Sequence, residues 1–252
     1  MRLLAEDEPH PAYLRVGSPD CPFVLVADHA GNAIPRALDD LGLGEGDRTR
    51  HIAWDIGIAG VADALAERLG APLVRQRYSR LAIDCNRDPA RTDAVPEISD
   101  GSAIPGNAAL DNDQRAARIA AIHAPYHAAI AAALTGQSQP PIMVALHSFT
   151  PVMAGFARPW HAGVLHDRGD TRFSDAVLAG LRARVDAPVG DNEPYAMDGI
   201  DFTVPYHCYA TGRPYAEIEI RQDLIADAAA QERWAGLLAD VLTSALDRTI
   251  GE

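Results

Sequence analysis

The chain has little with which to build thiol chemistry: Cys21, Cys85 and Cys208 are odd in number, widely spaced and form no CxxC pair. A disulfide framework and a cysteine zinc knuckle are therefore excluded, and any metal must be held by His, Asp or Glu. Basic charge is scarce as well. The 22 Lys and Arg stand against 35 Asp and Glu, a formal charge of −13, so neither nucleic acid nor an anionic membrane is an expected partner, since phosphate binding needs clustered cations. A small anionic substrate held by a few local arginines remains compatible with this balance. No uninterrupted apolar run is long enough to cross a bilayer, and the opening MRLLAEDEPHP has no apolar core of signal-peptide length; a cytoplasmic location is the expectation. Also missing are an HExxH zinc motif, a GxSxG nucleophile elbow, a Walker phosphate loop, internal repeats and a Gly/Ser linker. One domain over residues 1–252 is expected.

What is present is an ordinary globular composition, 48% hydrophobic and 23% charged, arranged as short apolar runs alternating with Ala-rich helical stretches. That alternation predicts an α/β sandwich. Strands are expected over 23–27, 72–76, 81–83, 142–146, 163–165 and 216–220, and helices over 56–68, 114–134, 175–184 and 228–246. Residues 87–113, rich in Pro, Gly and acids, read as a long loop of the kind that often carries function.

Four apolar runs finish in chemistry-bearing residues: FVLVA in Asp28-His29, LAI in Asp84-Cys85-Asn86-Arg87, IMVAL in His147-Ser148, and GVL in His166-Asp167. Open α/β sheets bind ligands where the carboxyl ends of strands converge, so together these endings mark a site. In AEIEIR, alternation sends Glu217, Glu219 and Arg221 to one face. Two buried carboxylates there need a cation or a metal; the plain structural alternative is an ion-paired edge strand in solvent. His29 and His147 at neighbouring strand ends suit a hydrolytic zinc site with an open position for water, and Glu219 suits the general base.

The phrases ADHAGNAIP (27–35), AWDIG (53–57), YSRLAIDCNRDP (78–89), ALHSFTP (145–151), GDNEPY (190–195) and AEIEIRQDLI (216–225) together resemble the N-formylglutamate amidohydrolase family. The resemblance implies a three-layer α/β sandwich with a mixed, mostly parallel central sheet and helices on both faces, of the zinc-exopeptidase/phosphorylase-hydrolase-like kind. It implies hydrolysis, dependent on Zn2+ or another divalent metal, of an N-acyl (typically N-formyl) amide of an acidic or other small amino acid such as N-formylglutamate. HSF and EIR are similar to the HSY and ELR elements of carboxypeptidases, which makes His147 a metal ligand and Glu219 the catalytic base. DCNR is similar to the Asn-Arg pair that grips a substrate carboxylate there, which makes Asn86 and Arg87 substrate contacts, with Arg80, Arg158, Ser148 and Arg221 as further candidates; a guanidinium suits a carboxylate through paired donors.

The first motif departs from the carboxypeptidase pattern. Those enzymes have a ligand Glu three residues after the histidine, whereas this chain has Asn32. Asp55 is the expected substitute, with a helix N-cap as its competing role and Asn32 or Asp28 as competing ligands. A non-catalytic N-acyl amino acid binding protein of the same fold is the alternative function. His123 and His127, four apart in a helix, share a face, but the intervening Pro125 argues against joint ligation. His161, His166 and His207 read as pocket or supporting residues, and Asn192 and Glu193 as a loop near the site.

Overall fold

The computed structural model describes residues 2–250. In chain order the strands are β1 (Ala12–Arg15), β2 (Phe23–Ala27), β3 (Leu73–Gln76), the two-residue β4 (Ile98–Ser99) and β5 (Ser102–Ala103), β6 (Ile142–Phe149), the equally short β7 (Val152–Met153) and β8 (Phe156–Ala157), β9 (Ala162–Leu165), β10 (Val189–Asp191) and β11 (Tyr215–Arg221). The helices are α1 (Glu45–Arg48), α2 (Ile58–Leu69), α3 (Asn112–Arg118), α4 (Ala124–Thr135), α5 (Arg172–Arg182), α6 (Thr203–Cys208) and α7 (Ala228–Ile250).

Seven strands form one sheet in the order β1-β3-β2-β6-β11-β9-β10. The central four, β3, β2, β6 and β11, run parallel; β1 is antiparallel to β3, β9 is antiparallel to β11, and β10 is parallel to β9. The fold is thus a three-layer α/β sandwich on a mixed, mostly parallel sheet. Both faces are covered, which is why β2 and β6 are buried along their whole length and read as unbroken apolar runs instead of alternating ones. On one face Leu25, Val144 and Ile218 pack with Leu65, Val177 and Leu238 of α2, α5 and α7. On the other, Val26, Ala145 and Tyr215 pack with Tyr126 and Ile130 of α4. Burying each such large side chain contributes about 1.5–3 kcal/mol.

The expected helix over 114–134 is α3 and α4 joined by a π turn at Ile119–His123. Pro125 has no N–H for the carbonyl four residues back, so the ladder is re-spaced where the proline enters.

Residues 81–83 are a buried turn and not a strand: the Ser79 hydroxyl accepts from Leu81 N at 3.1 Å and the Ser79 carbonyl accepts from Ala82 N at 2.9 Å. Three buried apolar residues carry no period that separates the two. The 163–165 run lies within β9, but because β9 opposes β11 its carboxyl end faces the far rim of the sheet, and His166 leads away from the ends of β2, β6 and β11. No local pattern marks β1, β10, α1 or α6, which were outside the expected elements. The 87–113 segment contains the β4–β5 hairpin, whose Asp100-Gly101 turn has φ of 42° and 76°, the left-handed pair a tight hairpin favours. No described helix is long and apolar enough to cross a membrane.

Candidate active site

Parallel pairing sets the site. Val26 is in register with Ala145, and His147 with Glu219, so two residues beyond Val26 the Asp28 side chain stands on the same face as His147, Glu217 and Glu219. All four are buried, between 1% and 5% exposed. His29 follows in the turn, and its carbonyl accepts from the Asp55 backbone N–H at 2.8 Å, tying the segment before α2 to the tip of β2.

His29, His147 and Asp55 converge. His147 Nδ1 is 3.1 Å from Asp55 Oδ2, His29 Nδ1 is 3.6 Å from Asp55 Oδ1, and one donor atom from each residue fits within a 4.8 Å group. Each imidazole has a carboxylate on its other nitrogen: His29 Nε2 lies 2.7 Å from Asp84 Oδ1, and His147 Nε2 lies 3.4 Å from Asp28 Oδ2. Carboxylates behind imidazoles fix the tautomer and ring orientation of metal-ligating histidines. His29 Nδ1 is buried with no hydrogen-bond partner, an orphan that a cation in the group would satisfy. The donor set is also right for zinc, two imidazoles and a carboxylate with room for a fourth ligand.

The electrostatics follow from the same neighbours. Burial, with Arg80 adding to it, pushes the His29 imidazole down, but Asp84 and Asp55 outweigh both and hold it above its ordinary value. Burial opposes the same outcome at His147, where Asp28 and Asp55 win. Burial would lift the Asp55 carboxyl; His29 and His147 instead hold it below the usual range. Glu219 behaves oppositely: burial lifts its carboxyl to about 7, with His147 pulling down and Asp55 pushing up.

Several expected substrate contacts turn out to be committed to the protein itself. Asp55 does not cap α2, whose first turn has no side-chain cap; its carboxylate accepts from Ser148 N at 3.1 Å. The Ser148 hydroxyl donates to the Ile56 carbonyl at 2.9 Å, pinning the Asp55 segment from its other side. Arg80 closes its fork on Asp84 Oδ2, at 3.0 and 2.6 Å, and reaches within 3.7 Å of Asp55. Asn86 Oδ1 accepts from Phe202 N and Thr203 N, satisfying the open N–H groups at the start of α6. Arg87 is looser: one N–H donates to the Asn86 carbonyl at 2.8 Å, and Asp201 and Asp93 stand 3.7 and 3.9 Å away.

The π turn and α4 hold the DCNR segment from behind. His123 Nε2 bonds the Arg87 carbonyl at 3.1 Å and His127 Nε2 the Cys85 carbonyl at 2.9 Å. Burial lowers His127 to about 3 and His207 to about 4, so both are neutral and His207 Nε2–H donates to His127 Nδ1 at 3.0 Å.

A cavity of about 300 Å³ opens over these groups, lined by His29, Asp55, Arg80, Asn86, Arg87, His147, Ser148 and Glu219 among others. Arg158 and Arg221 do not line it. Arg158 donates to Tyr195 Oη at 3.0 Å and lies over the Tyr195 ring, and Arg221 donates to the Arg158 carbonyl at 3.1 Å. Asn32 is turned away onto the Arg48 carbonyl, and His166 pairs with Asp191 at 2.8 Å on the far rim. Tyr195 arrives by way of the GDNEPY segment, which crosses the sheet where Gly163 and Gly190 have no side chains; a Cβ at either glycine would collide with the Glu193 carbonyl. Sequence reasoning did not find His51 or Asp201 as part of this site, and it gave no role to Asp84 or Tyr195, although both stand in the motifs it singled out. Asp84 had a visible signal, an acid four residues after Arg80 at the head of DCNR.

Residues 21–226 match the family model described as N-formylglutamate amidohydrolase. No curated protein matches the sequence. Among solved structures, gene product Atu2144 from Agrobacterium tumefaciens is similar over 100% of both chains, at 37% identity and a TM-score of 0.92. The N-formylglutamate amidohydrolase from Ralstonia eutropha JMP134 shares the fold over 97% of this chain and 100% of that one, at 21% identity and a TM-score of 0.65.

Proposed function

The chain belongs to the N-formylglutamate amidohydrolase family, and from that premise we propose that it hydrolyses the N-acyl, preferably N-formyl, amide of a small amino acid with a free α-carboxylate, using a divalent metal held by His29, His147 and Asp55. The observation that carries the reading is the convergence of three buried donors on one point, with the unpaired Glu219 carboxyl in the same cavity. When bound, zinc or a similar ion would polarise the acyl carbonyl and acidify a water molecule.

The rest is done by the chain's own residues. Glu219, lifted to about 7 by burial, is poised near neutrality to take a proton from the attacking water and return it to the leaving nitrogen. Glu217 beside it is raised well above the ordinary carboxyl range, first by burial. Arg87, the cavity arginine whose donors are least used, holds the α-carboxylate. Asp84 fixes the His29 imidazole through its 2.7 Å hydrogen bond, Asp28 faces His147 Nε2 at 3.4 Å, Arg80 neutralises Asp84, and Ser148 orients Asp55.

Metal analysis of purified protein, together with amine release from matched N-formyl and N-acetyl amino acids, tests this. About one divalent ion per chain is expected, with turnover lost to a chelator and restored by metal. Protein that holds no ion and cleaves neither series overturns the reading; tight binding of N-acyl amino acids by such protein would establish the non-catalytic alternative.

A further inference from the structure

A row of register partners crosses the sheet at the level of the site. His147 on β6 pairs with Glu219 on β11, Glu219 with Gly163 on β9, and Gly163 with Gly190 on β10. Register partners point their side chains to one face, so the two glycines leave a trough beside Glu219 on the face that carries its carboxyl. The Glu193 carbonyl fills this trough, where a Cβ on either glycine would collide with it. With neighbouring strands about 4.8 Å apart, the segment runs alongside Glu219. Tyr195, two residues on, lines the same cavity.

Tyr195 is 40% exposed, so its ring stands at the cavity mouth, while its hydroxyl reaches a buried cation. Arg158 is 7% exposed, and no carboxylate pairs with it among the described residues. Its guanidinium donates to the Thr150 carbonyl at 3.2 Å and to Tyr195 Oη at 3.0 Å. The Arg158 backbone is held as firmly, its N–H donating to the Pro151 carbonyl at 2.8 Å and its carbonyl accepting from Arg221 at 3.1 Å. A buried guanidinium without an anion carries a desolvation cost. Here its charge stands behind the phenol oxygen, and a charge-assisted bond to that oxygen polarises the O–H into a stronger donor. The O–H itself has no acceptor among the described residues. Glu219 Oε2 is also unpartnered, so the base does not engage it. Burial pushes the phenol above its ordinary value, and the donor keeps its proton at neutral pH.

Resting on the amidohydrolase reading, we propose that Tyr195 is a catalytic residue whose O–H donates to the oxyanion formed when water adds to the acyl carbon, with Arg158 as the positioning residue that fixes and polarises it. The proton stays on Tyr195 throughout, and Glu219 alone carries protons between water and the leaving nitrogen. A donor held in place before charge develops stabilises the transition state more than the ground state.

The test uses metal-replete protein and the N-formyl amino acid it cleaves fastest, with N-formyl-L-glutamate tried first. Tyr195→Phe keeps the ring against which Arg158 lies, 4.7 Å from its centroid, and removes only the donor. It should lower kcat by at least about tenfold, toward the about 10²–10³ seen when one oxyanion donor is lost, with KM within about twofold. Metal content should be unchanged in elemental analysis. Arg158→Gln should lower kcat about tenfold in wild type but less than about twofold in Tyr195→Phe, since it acts through the phenol. Calorimetric titration gives a readout without turnover: the phosphonamidate analogue of the substrate, whose tetrahedral anionic centre mimics the intermediate, should bind Tyr195→Phe at least about tenfold more weakly than wild type, while the free amino acid product binds both alike. A kcat unmoved by Tyr195→Phe, a loss carried by KM, loss of metal in that variant, or Arg158 and Tyr195 effects that simply add overturns the proposal and leaves the amidohydrolase reading intact. If wild type cleaves no N-acyl amino acid, the amidohydrolase reading itself has failed, and Tyr195 has no oxyanion to serve.

Discussion

Replacing Asp55 with Asn separates a metal ligand from a structural carboxylate. The amide keeps the size of the side chain and an oxygen to accept the 3.1 Å bond from Ser148 N, so the metal-free protein should fold. What it loses is the anion facing His29 and His147 at 3.6 and 3.1 Å. Loss of a carboxylate behind a ligand typically costs tenfold to a hundredfold in metal affinity, and loss of a ligand itself should reach at least the upper end. With free metal at a hundredfold over the wild-type Kd, linkage gives about 2.7 kcal/mol of stabilisation to wild type but only about 0.4 kcal/mol to a variant binding a hundredfold more weakly. At about 2–4 °C per kcal/mol for a chain of this length, the metal-induced rise in Tm should shrink from about 5–11 °C to about 1–2 °C. Thermal unfolding with and without metal reads this directly. If Asp55 were a helix cap and nothing more, Asn would serve as well and the metal-induced rise would be undiminished; that result refutes the ligand assignment.

Glu219→Gln should retain metal in elemental analysis and lower kcat by about a hundredfold or more, the range for losing a general base. Arg87→Lys keeps the charge but not the planar fork, so it should raise KM for substrates with a free α-carboxylate and leave matched amides almost unaffected in steady-state kinetics; equal penalties on both would make Arg87 structural. Asp84→Asn should weaken metal binding about tenfold to a hundredfold in chelator competition, through the His29 ring it orients. Gly163→Ala forces a Cβ onto the Glu193 carbonyl and should cost about 1–3 kcal/mol in denaturant unfolding, the usual price of overpacking, while moving Tyr195 out of the cavity wall.

The pattern of apolar runs ending in polar residues was legible because parallel pairing aligns strand ends: β2, β6 and β11 each deliver a residue to the site directly after or within a run the eye can find. Direction was not legible. The run before His166 looks the same as the run before His147, yet β9 is antiparallel to β11, and strand direction depends on connections that no local pattern records. Residues 81–83 show the matching limit for element type, since burial makes a turn as apolar as a strand. Asn86 and Ser148 show it for roles. Both carry hydrogen-bonding groups in site motifs, but the partners that occupy them, the N–H groups opening α6 and the Ile56 carbonyl, are 116 or 117 and 92 residues away in sequence.

That allocation of partners bears on specificity more than the motif residues do. A guanidinium is available to a substrate only when the protein has not already satisfied it, and here Arg80, Arg158 and Arg221 are held by Asp84, by Thr150 and Tyr195, and by Asp223. Arg87 is the lining arginine that remains, and its neighbourhood of Asp93 and Asp201 suits one bound carboxylate better than two. The motif sets the reaction at the amide, and the groups the protein leaves uncommitted set what the rest of a substrate can carry.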